Sequence, residues 1–184
     1  MVLKFGGTSV ADVPKIKKIA LKVKKEINKG NKVIVVVSAM AGVTNNLIDL
    51  VKSASASPPN TEYDVVLSSG EQVTSALLAI TLDNLSIKAR SWLGWQIPII
   101  SDLTHGNALI EEIKTDQIHE FFRKNQVAII SGFQGVTKDN RITTLGRGGS
   151  DTTAVAIAAA FSAERCDIYT DVDGVYTADP RIVA

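Results

Sequence analysis

The sequence predicts an α/β fold with a largely parallel sheet, and three observations carry that prediction. Short apolar runs alternate with amphipathic helical segments at close intervals, as in βαβ units. Val33 to Val37 are five consecutive β-branched residues, a pattern typical of a strand buried on both faces of a parallel sheet. Glycine-rich or small-residue turns follow Phe5, Val37 and Ser131. Binding sites of such sheets lie at the carboxyl ends of strands.

Length and composition indicate one domain, residues 1–184. With 184 residues and 45% hydrophobic side chains, the chain can bury a substantial core. A formal net charge of +1 gives no argument for a nucleic-acid or acidic-membrane partner. A lone cysteine, Cys166, fits a reducing compartment. The first residues carry no targeting pattern and no apolar run approaches the ~20 residues of a membrane span. We therefore expect a cytoplasmic protein with neither a membrane nor a nucleic-acid partner.

The first third of the chain reads as strand, helix, strand, helix. Val2 to Phe5 is a short strand, and apolar residues recur at helical spacing between Val13 and Ile27. We expect that helix to begin at an Asp12 N-cap, with Pro14 in its first turn, and to stop at Gly30. After the strand Val33 to Val37, a turn leads to a second helix from Asn45 to about Ala54.

The remaining elements follow in the same manner. Ser53 to Asn60 reads as a linker, because it contains Pro58-Pro59. A third helical segment spans roughly Asp64 to Asn84, and we expect an interruption at Ser68 to Glu71. Later patterns predict strands at 87–92, 97–100, 108–113, 127–131 and 167–170, helices at 116–124 and 150–163, and a hairpin from Gly132 into the stretch 141–145.

The stretch from Thr143 to Ala154 is the strongest candidate site. Gly146, Gly148 and Gly149 stand at the mouth of a helix, where free backbone N–H groups and the helix dipole suit an anion. Arg147 lies in this turn, and its guanidinium either grips a carboxylate bidentately or forms a surface salt bridge. Asp151 lies in the first helical turn, where the dipole favours its charged form. We expect a capping or electrostatic role for it rather than a general-base role.

Two further residues admit both a structural and a functional interpretation. Lys4 ends a strand beside Gly6-Gly7 and can stabilise a transferring phosphoryl group together with backbone N–H groups. It can equally be a lysine that extends from an ordinary strand into solvent. Glu71 fits a capping box with Ser68, which the local pattern favours; the alternative is a ligand group for an ammonium.

Other site types are excluded or disfavoured by motif. The chain has no Gly-Lys-Ser/Thr tripeptide, which excludes a Walker A loop. Asp151 occupies the position where a dinucleotide fingerprint needs a small residue, so its charge would face the pyrophosphate. His105 and His119 are distant from each other and from Cys166 in sequence, so there is no zinc pattern. We expect His105 to stabilise a turn and His119 to lie on the surface.

Five motifs, taken together and in this order, resemble the catalytic domain of the aspartokinases, within the amino acid kinase family. They are Lys4-Phe-Gly-Gly-Thr-Ser-Val10, Ser69-Gly-Glu71, Gly132-Phe-Gln-Gly135, Leu145-Gly-Arg-Gly-Gly-Ser-Asp151 and Thr170-Asp-Val-Asp-Gly-Val-Tyr-Thr-Ala-Asp-Pro-Arg181. The likeness covers almost the whole chain. The resemblance implies a three-layer α/β/α sandwich that transfers a phosphoryl group from Mg-ATP to L-aspartate, the first step towards lysine, threonine and methionine. Mg²⁺ would be bound through the nucleotide phosphates, with no metal site on the protein.

The same resemblance implies roles for individual residues. Lys4 would be catalytic and would contact ATP, with Asp151 orienting it. Glu71 would meet the α-ammonium of the substrate and Arg147 its α-carboxylate, with Ser38, Thr44 and Ser150 close by. The nucleotide side would be formed by Gly6, Gly7, Thr170, Asp171, Tyr176 and Arg181. A side-chain carboxylate with a pKa of about 4 is already ionised at neutral pH. Catalysis then needs positioning and charge neutralisation rather than a general base.

The family continues beyond the region of Ala184 with a nucleotide-contacting segment and paired ACT regulatory domains. We therefore expect the kinase domain without ACT domains in this chain, and a homodimer or association with a regulatory chain. Two alternatives remain open. One is a non-catalytic or partner-dependent chain that binds aspartate, and the other is a kinase of the same fold with another acceptor.

Overall fold

The computed structural model describes residues 1–124 and 126–170, and these form nine strands and five helices. The predictions for Asp171, Tyr176 and Arg181 lie outside the described residues. The strands are β1 (Val2–Phe5), β2 (Ile34–Val37), β3 (Ala89–Trp92), β4 (Ile99–Ser101), β5 (Ile110–Ile113), β6 (Val127–Ser131), β7 (Gln134–Val136), β8 (Ile142–Thr144) and β9 (Cys166–Tyr169). The helices are α1 (Val13–Asn28), α2 (Val43–Ala54), α3 (Asn60–Asp83), α4 (Asp116–Arg123) and α5 (Gly149–Ala160).

A five-stranded parallel sheet in the order β3-β6-β2-β1-β9 forms the centre of the molecule. All four pairings are parallel; Val2 of β1, for example, lies opposite Ile34 on one side and Cys166 on the other. The carboxyl ends of the strands therefore meet at one edge, where the turns after Phe5, Val37 and Ser131 lie together. The predicted α/β class with a mainly parallel sheet is confirmed.

The helices cover both faces of this sheet and so complete three layers. Successive side chains of a strand point to opposite faces. On β1, Leu3 and Phe5 pack in the core formed with α1 and α3. Val2 packs in a second core formed with α4 and α5. Lys4 shares the parity of Val2, so the strand itself directs its side chain towards α5 and the glycine-rich turn.

A smaller mixed sheet, in the order β5-β4-β7-β8, stands beside the central one. The predicted hairpin is present, with Gln134 opposite Thr144 and Val136 opposite Ile142 in antiparallel register. The sequence patterns identify these strands but do not show that they form a separate sheet. Because β8 contacts α3, this sheet brings the turn after β8 close to the helix that carries Glu71.

The boundary signals of α1 are confirmed, whereas the predicted break in the third helix is wrong. The Asp12 side chain accepts a hydrogen bond from the backbone N–H of Lys15 at 2.7 Å, which is the predicted N-cap. The helix α3 runs without interruption from Asn60 to Asp83. The hydroxyl of Ser68 donates to the Val65 carbonyl within the helix rather than starting a new one. There is therefore no capping box at Ser68 to Glu71.

The expectation that no segment matches a membrane span also needs correction. By length and composition alone, α3 is long and apolar enough to cross a membrane. This is weak evidence, because the core helix of a soluble protein meets the same criteria. Here α3 packs against α1, α2, β3 and β8, and it buries Asp64 and Glu71.

Candidate active site

A cleft of about 560 Å³ opens at the carboxyl ends of β1 and β2, between α3, the first turns of α2 and α5, and the turn after β8. The described structure brings together eight of the residues predicted for the site. They are Lys4, Gly7, Ser38, Thr44, Glu71, Arg147, Ser150 and Asp151. Residues that are far apart in sequence thus meet in one cavity at the predicted edge of the sheet.

Lys4 is buried at one side of this cleft, with only 6% of the residue exposed. Its Nζ lies 2.6 Å from Oδ1 of Asp151 in an ion pair. Asp151 lies in the first turn of α5, where the helix dipole also favours its carboxylate form. The ammonium is thus held in place by a half-exposed partner, and the interpretation of Lys4 as a solvent-extended lysine is wrong.

Glu71 is a buried carboxylate that is only half satisfied. Its Oε1 accepts a hydrogen bond from the backbone N–H of Ala39 at 3.0 Å, which ties α3 to the loop after β2. Its Oε2 is buried and has no hydrogen-bond partner in the part of the chain that the structure describes. Burial raises the pKa of Glu71 from 4.5 to about 7, and the Ala39 hydrogen bond offsets only part of this increase. An acceptor oxygen of this kind suits a cationic ligand group, because a cation would restore the charged form.

Arg147 stands exposed in the turn between β8 and α5. Gly146 and Gly148 flank it with φ values of +75°, a conformation that glycine adopts without strain. Gly149 then begins α5 under Phe133, where a Cβ would lie only 2.7 Å from the ring. Within residues 1–124 and 126–170 Arg147 makes no ion pair. Among these residues no carboxylate occupies its guanidinium, which suits it to bind an anion, and the predicted salt-bridge alternative is not seen there.

Three polar side chains stand around these charges. Ser38 follows β2, and its backbone N–H donates to the Phe5 carbonyl at 3.1 Å. Thr44 lies in the first turn of α2, and Ser150 lies in the first turn of α5 with 8% of the residue exposed. Gly132 allows α5 to approach, because a Cβ there would lie 2.9 Å from the Ser150 side chain. Two helix N-termini thus face one cleft, which favours anionic groups.

Fewer of the residues predicted to bind the nucleotide line the main cleft. The N–H of Gly6 donates to the Tyr169 carbonyl at 3.0 Å and is therefore already used. Gly7 approaches the Ala39 carbonyl so closely that a Cβ would lie 2.9 Å from it. Thr170 borders a separate cavity of about 330 Å³ on the α1 side, beside Lys15 and Tyr169. Of the predicted nucleotide residues, Lys4 and Gly7 line the main cleft in the described part of the chain.

Sequence reasoning missed a second buried carboxylate on α3. Asp64 is fully buried and accepts hydrogen bonds from Thr144, Gly106 and the ring of His105. The seven-residue spacing of Asp64 and Glu71 is a signal that places both on one helix face. His105 does stabilise a turn, and His119 is exposed, as predicted. Among the described residues there is no cluster of three or more His, Cys, Asp or Glu side chains able to hold a metal.

Comparison with known proteins identifies the class. The model of the amino acid kinase family matches residues 1–184, and the chain belongs to that family. All of the chain aligns with the aspartokinase of Rickettsia felis at 59% identity and with that of Geobacillus stearothermophilus at 53% identity. It spans 46% and 45% of the lengths of those two proteins. The chain thus covers about half the length of the curated relatives it matches.

Solved structures share the fold. A crystal structure of E. coli aspartokinase III in complex with aspartate and ADP superposes with a TM-score of 0.85 at 29% identity, covering 99% of this chain and 51% of that one. The aspartate kinase from Synechocystis superposes with a TM-score of 0.82 at 44% identity, covering 99% of this chain and 30% of the other. The α/β/α architecture is therefore that of known aspartokinases.

Proposed function

We propose that this chain carries the catalytic domain of an aspartate kinase, which transfers the γ-phosphoryl group of ATP to the side-chain carboxylate of L-aspartate. The single observation that carries the proposal is the charge pattern of one cleft. Glu71 and Arg147 border the same cavity as the Lys4–Asp151 ion pair, and within the described residues Oε2 of Glu71 has no hydrogen-bond partner and Arg147 has no ion-pair partner. An amino acid with two carboxylates matches these charges, and a relative of the same fold binds aspartate and ADP.

The opposed charges give the amino acid one orientation. Glu71 would accept the α-ammonium through its free Oε2, and Arg147 would bind the α-carboxylate through two parallel N–H groups. The remaining carboxylate would then face Lys4, with Ser38, Thr44 and Ser150 as hydrogen-bond donors around it. Because this carboxylate is already ionised at neutral pH, no residue needs to remove a proton from it.

The chemical step then depends on bringing two anions together. The Lys4 ammonium would neutralise charge on the transferring phosphoryl group, and Asp151 would hold that ammonium in position. The backbone N–H of Gly7 is a better candidate donor than that of Gly6, whose hydrogen is committed to Tyr169. We propose that Mg²⁺ binds with ATP through the nucleotide phosphates, where it supplies further charge neutralisation. Thr170, Asp171, Tyr176 and Arg181 are proposed to line the nucleotide.

The product, 4-phospho-L-aspartate, would feed the synthesis of lysine, threonine and methionine in the cytoplasm.

We also propose a homodimer or association with a regulatory chain. Support comes from the outward face of α3, where Val65, Val73 and Ile80 are 38%, 55% and 59% exposed. Light scattering after size-exclusion chromatography measures the molar mass and so tests the homodimer. The molar mass of a monomer, both alone and after mixing with a regulatory chain, would contradict the proposed association.

An acyl-phosphate assay tests the proposed activity. An acyl phosphate reacts with hydroxylamine to give a hydroxamate, which forms a coloured complex with ferric iron, and we expect this product with ATP and aspartate. Glutamate and acetylglutamate are matched controls that should give little hydroxamate, and UMP should give no ADP release. Measurable aspartate binding without any hydroxamate would support a non-catalytic, aspartate-binding chain instead. A strong signal with another acceptor would identify a different member of the family.

A further inference from the structure

The buried carboxylate of Asp64 joins three segments of the molecule. It lies on α3 seven residues before Glu71, and none of it is exposed. Its Oδ1 accepts a 2.6 Å hydrogen bond from the Thr144 hydroxyl. Its Oδ2 accepts from the backbone N–H of Gly106 at 3.1 Å and lies 2.7 Å from Nδ1 of His105. Unlike Glu71, Asp64 has hydrogen-bond partners at both carboxylate oxygens, so its role is structural rather than ligand binding.

Both segments that Asp64 holds border the candidate active site. Gly106 belongs to the loop between β4 and β5, and Thr144 is the last residue of β8; both line the cleft. Arg147 follows Thr144 by three residues in the turn before α5. Asp64 therefore contacts the strand end from which the Arg147 turn begins.

The loop between β4 and β5 supports the same turn from outside. The backbone N–H of Ala108 donates to the Thr144 carbonyl at 2.9 Å. The Asn107 side chain lies directly over Gly146, leaving no room there for a Cβ. His105 and Gly106 are the points at which Asp64 binds this loop. Losing these contacts would loosen a segment that packs against the Arg147 turn.

We propose that Asp64 and His105 are positioning residues, which fix the turn of Arg147 at a set place opposite Glu71. The proposal rests on the proposed function, in which these two groups bind the two ends of one amino acid. Since α3 carries both Asp64 and Glu71, one rigid helix sets the position of the ammonium acceptor and, through Thr144, that of the carboxylate donor. Neither Asp64 nor His105 touches the substrate in this arrangement.

The central test is Asp64→Asn in the complete protein, compared with Asp83→Asn. Asparagine offers one acceptor oxygen in place of two and directs an N–H₂ group at other donors. We expect the dissociation constant and KM for L-aspartate to rise about tenfold, as the loss of one charge-assisted hydrogen bond predicts, with kcat and the KM for ATP nearly unchanged. Asp83 is an exposed carboxylate in the last turn of the same helix, and its variant should behave like the wild type.

A second pair of variants keeps the test decisive if Asp64→Asn fails to fold. Thr144→Val removes the hydroxyl at nearly constant volume, whereas Thr144→Ser retains it. We expect weakened aspartate binding for Thr144→Val and rescue by Thr144→Ser, with a smaller loss for His105→Ala. A role confined to stability would lower the melting temperature of these variants without a selective change in aspartate affinity.

The outcomes separate the two proposals. If the wild type binds no L-aspartate in calorimetry, the proposed function fails and the positioning role fails with it. If the wild type binds and phosphorylates aspartate, but Asp64→Asn or Thr144→Val has the aspartate affinity of Asp83→Asn, only the positioning role is refuted. Equal losses in KM for aspartate and ATP would also refute it, because a general loosening of the fold would explain them.

Discussion

Replacing Glu71 with glutamine separates the charge of this side chain from its structural hydrogen bond. The amide oxygen of glutamine can still accept from the Ala39 N–H, so the loop after β2 keeps its contact with α3. The charge at the free Oε2 is lost, and a neutral amide meets the ligand instead. Glu71→Gln therefore removes the attraction for an ammonium without removing the side chain.

The expected loss of binding follows from the burial of this carboxylate. A hydrogen bond to a charged group contributes about 1.5–3 kcal/mol, so the KM for L-aspartate should rise roughly 10- to 150-fold in Glu71→Gln.

The pH dependence of the KM for L-aspartate should change as well. Burial raises the pKa of Glu71 to about 7, so the wild-type site binds the ammonium poorly at acidic pH, where Glu71 is protonated. As the pH rises towards 7, the wild-type KM for L-aspartate should fall by up to about tenfold per pH unit, and it should level off above pH 8. Glu71→Gln should lack this trend.

The same substitution should stabilise the empty protein at neutral and basic pH. In the unfolded chain Glu71 ionises near pH 4.5, whereas in the folded protein its pKa is about 7. The folded state therefore holds the proton more tightly, and this group lowers the free energy of unfolding as the pH rises from 4.5 to 7. The complete pKa difference corresponds to about 3 kcal/mol, which is the upper limit expected for the gain in Glu71→Gln above pH 8. The gain should vanish below pH 4.5.

Steady-state kinetics between pH 6 and 9 and urea unfolding without ligand measure both effects. Asp83→Asn is the matched control, because it removes an exposed carboxylate from the same helix. An unchanged KM with an unchanged pH profile in Glu71→Gln would show that Glu71 does not meet the substrate. Lower stability of the variant at every pH would refute the account of its raised pKa.

Three further substitutions test other parts of the site and the core. Arg147→Ala should raise the KM for aspartate by an amount equivalent to about 1.5–3 kcal/mol, since a charge-assisted bond is lost; an unchanged KM in the same kinetics would remove Arg147 from the site. Lys4→Ala should lower kcat by roughly 10²–10³, as for loss of one group that stabilises developing charge, and an effect on KM alone would contradict its phosphoryl role. Ile157→Ala empties a fully buried position against the sheet and should cost about 2–5 kcal/mol in urea unfolding, whereas a loss below 1 kcal/mol would mean that the layer repacks.

Much of the fold could be predicted from the sequence because its strands and helices carry strong local patterns. The β-branched run before Ser38 became a strand buried on both faces, and Asp12 caps α1 as its side-chain chemistry predicts. The break predicted near Ser68 was wrong because polar residues in a helix can bond to their own backbone carbonyls. Tertiary contacts, which a local pattern cannot contain, decided that question: Gly70 packs closely under Ala39.

The site was predictable in its chemistry but not in its supporting contacts. The glycines around Arg147 indicated an anion site, and the family resemblance implied that Asp151 orients Lys4; these two side chains are in contact. The charge environment of Glu71 could not be read from sequence, because it depends on how deeply α3 is buried. The hydrogen bonds of Asp64 join residues up to 80 positions apart, so only the fold brings them together.

Substrate analogues that each lack one charged group of aspartate test the central claim most directly. Succinate lacks the α-ammonium and β-alanine lacks the α-carboxylate, so competition against L-aspartate can be measured in the wild type, Glu71→Gln and Arg147→Ala. The account predicts that Glu71→Gln abolishes the preference for aspartate over succinate while keeping the preference over β-alanine, and that Arg147→Ala does the reverse. If both variants lost both preferences equally, or neither variant lost either, the assignment of Glu71 and Arg147 to opposite ends of the amino acid would be contradicted.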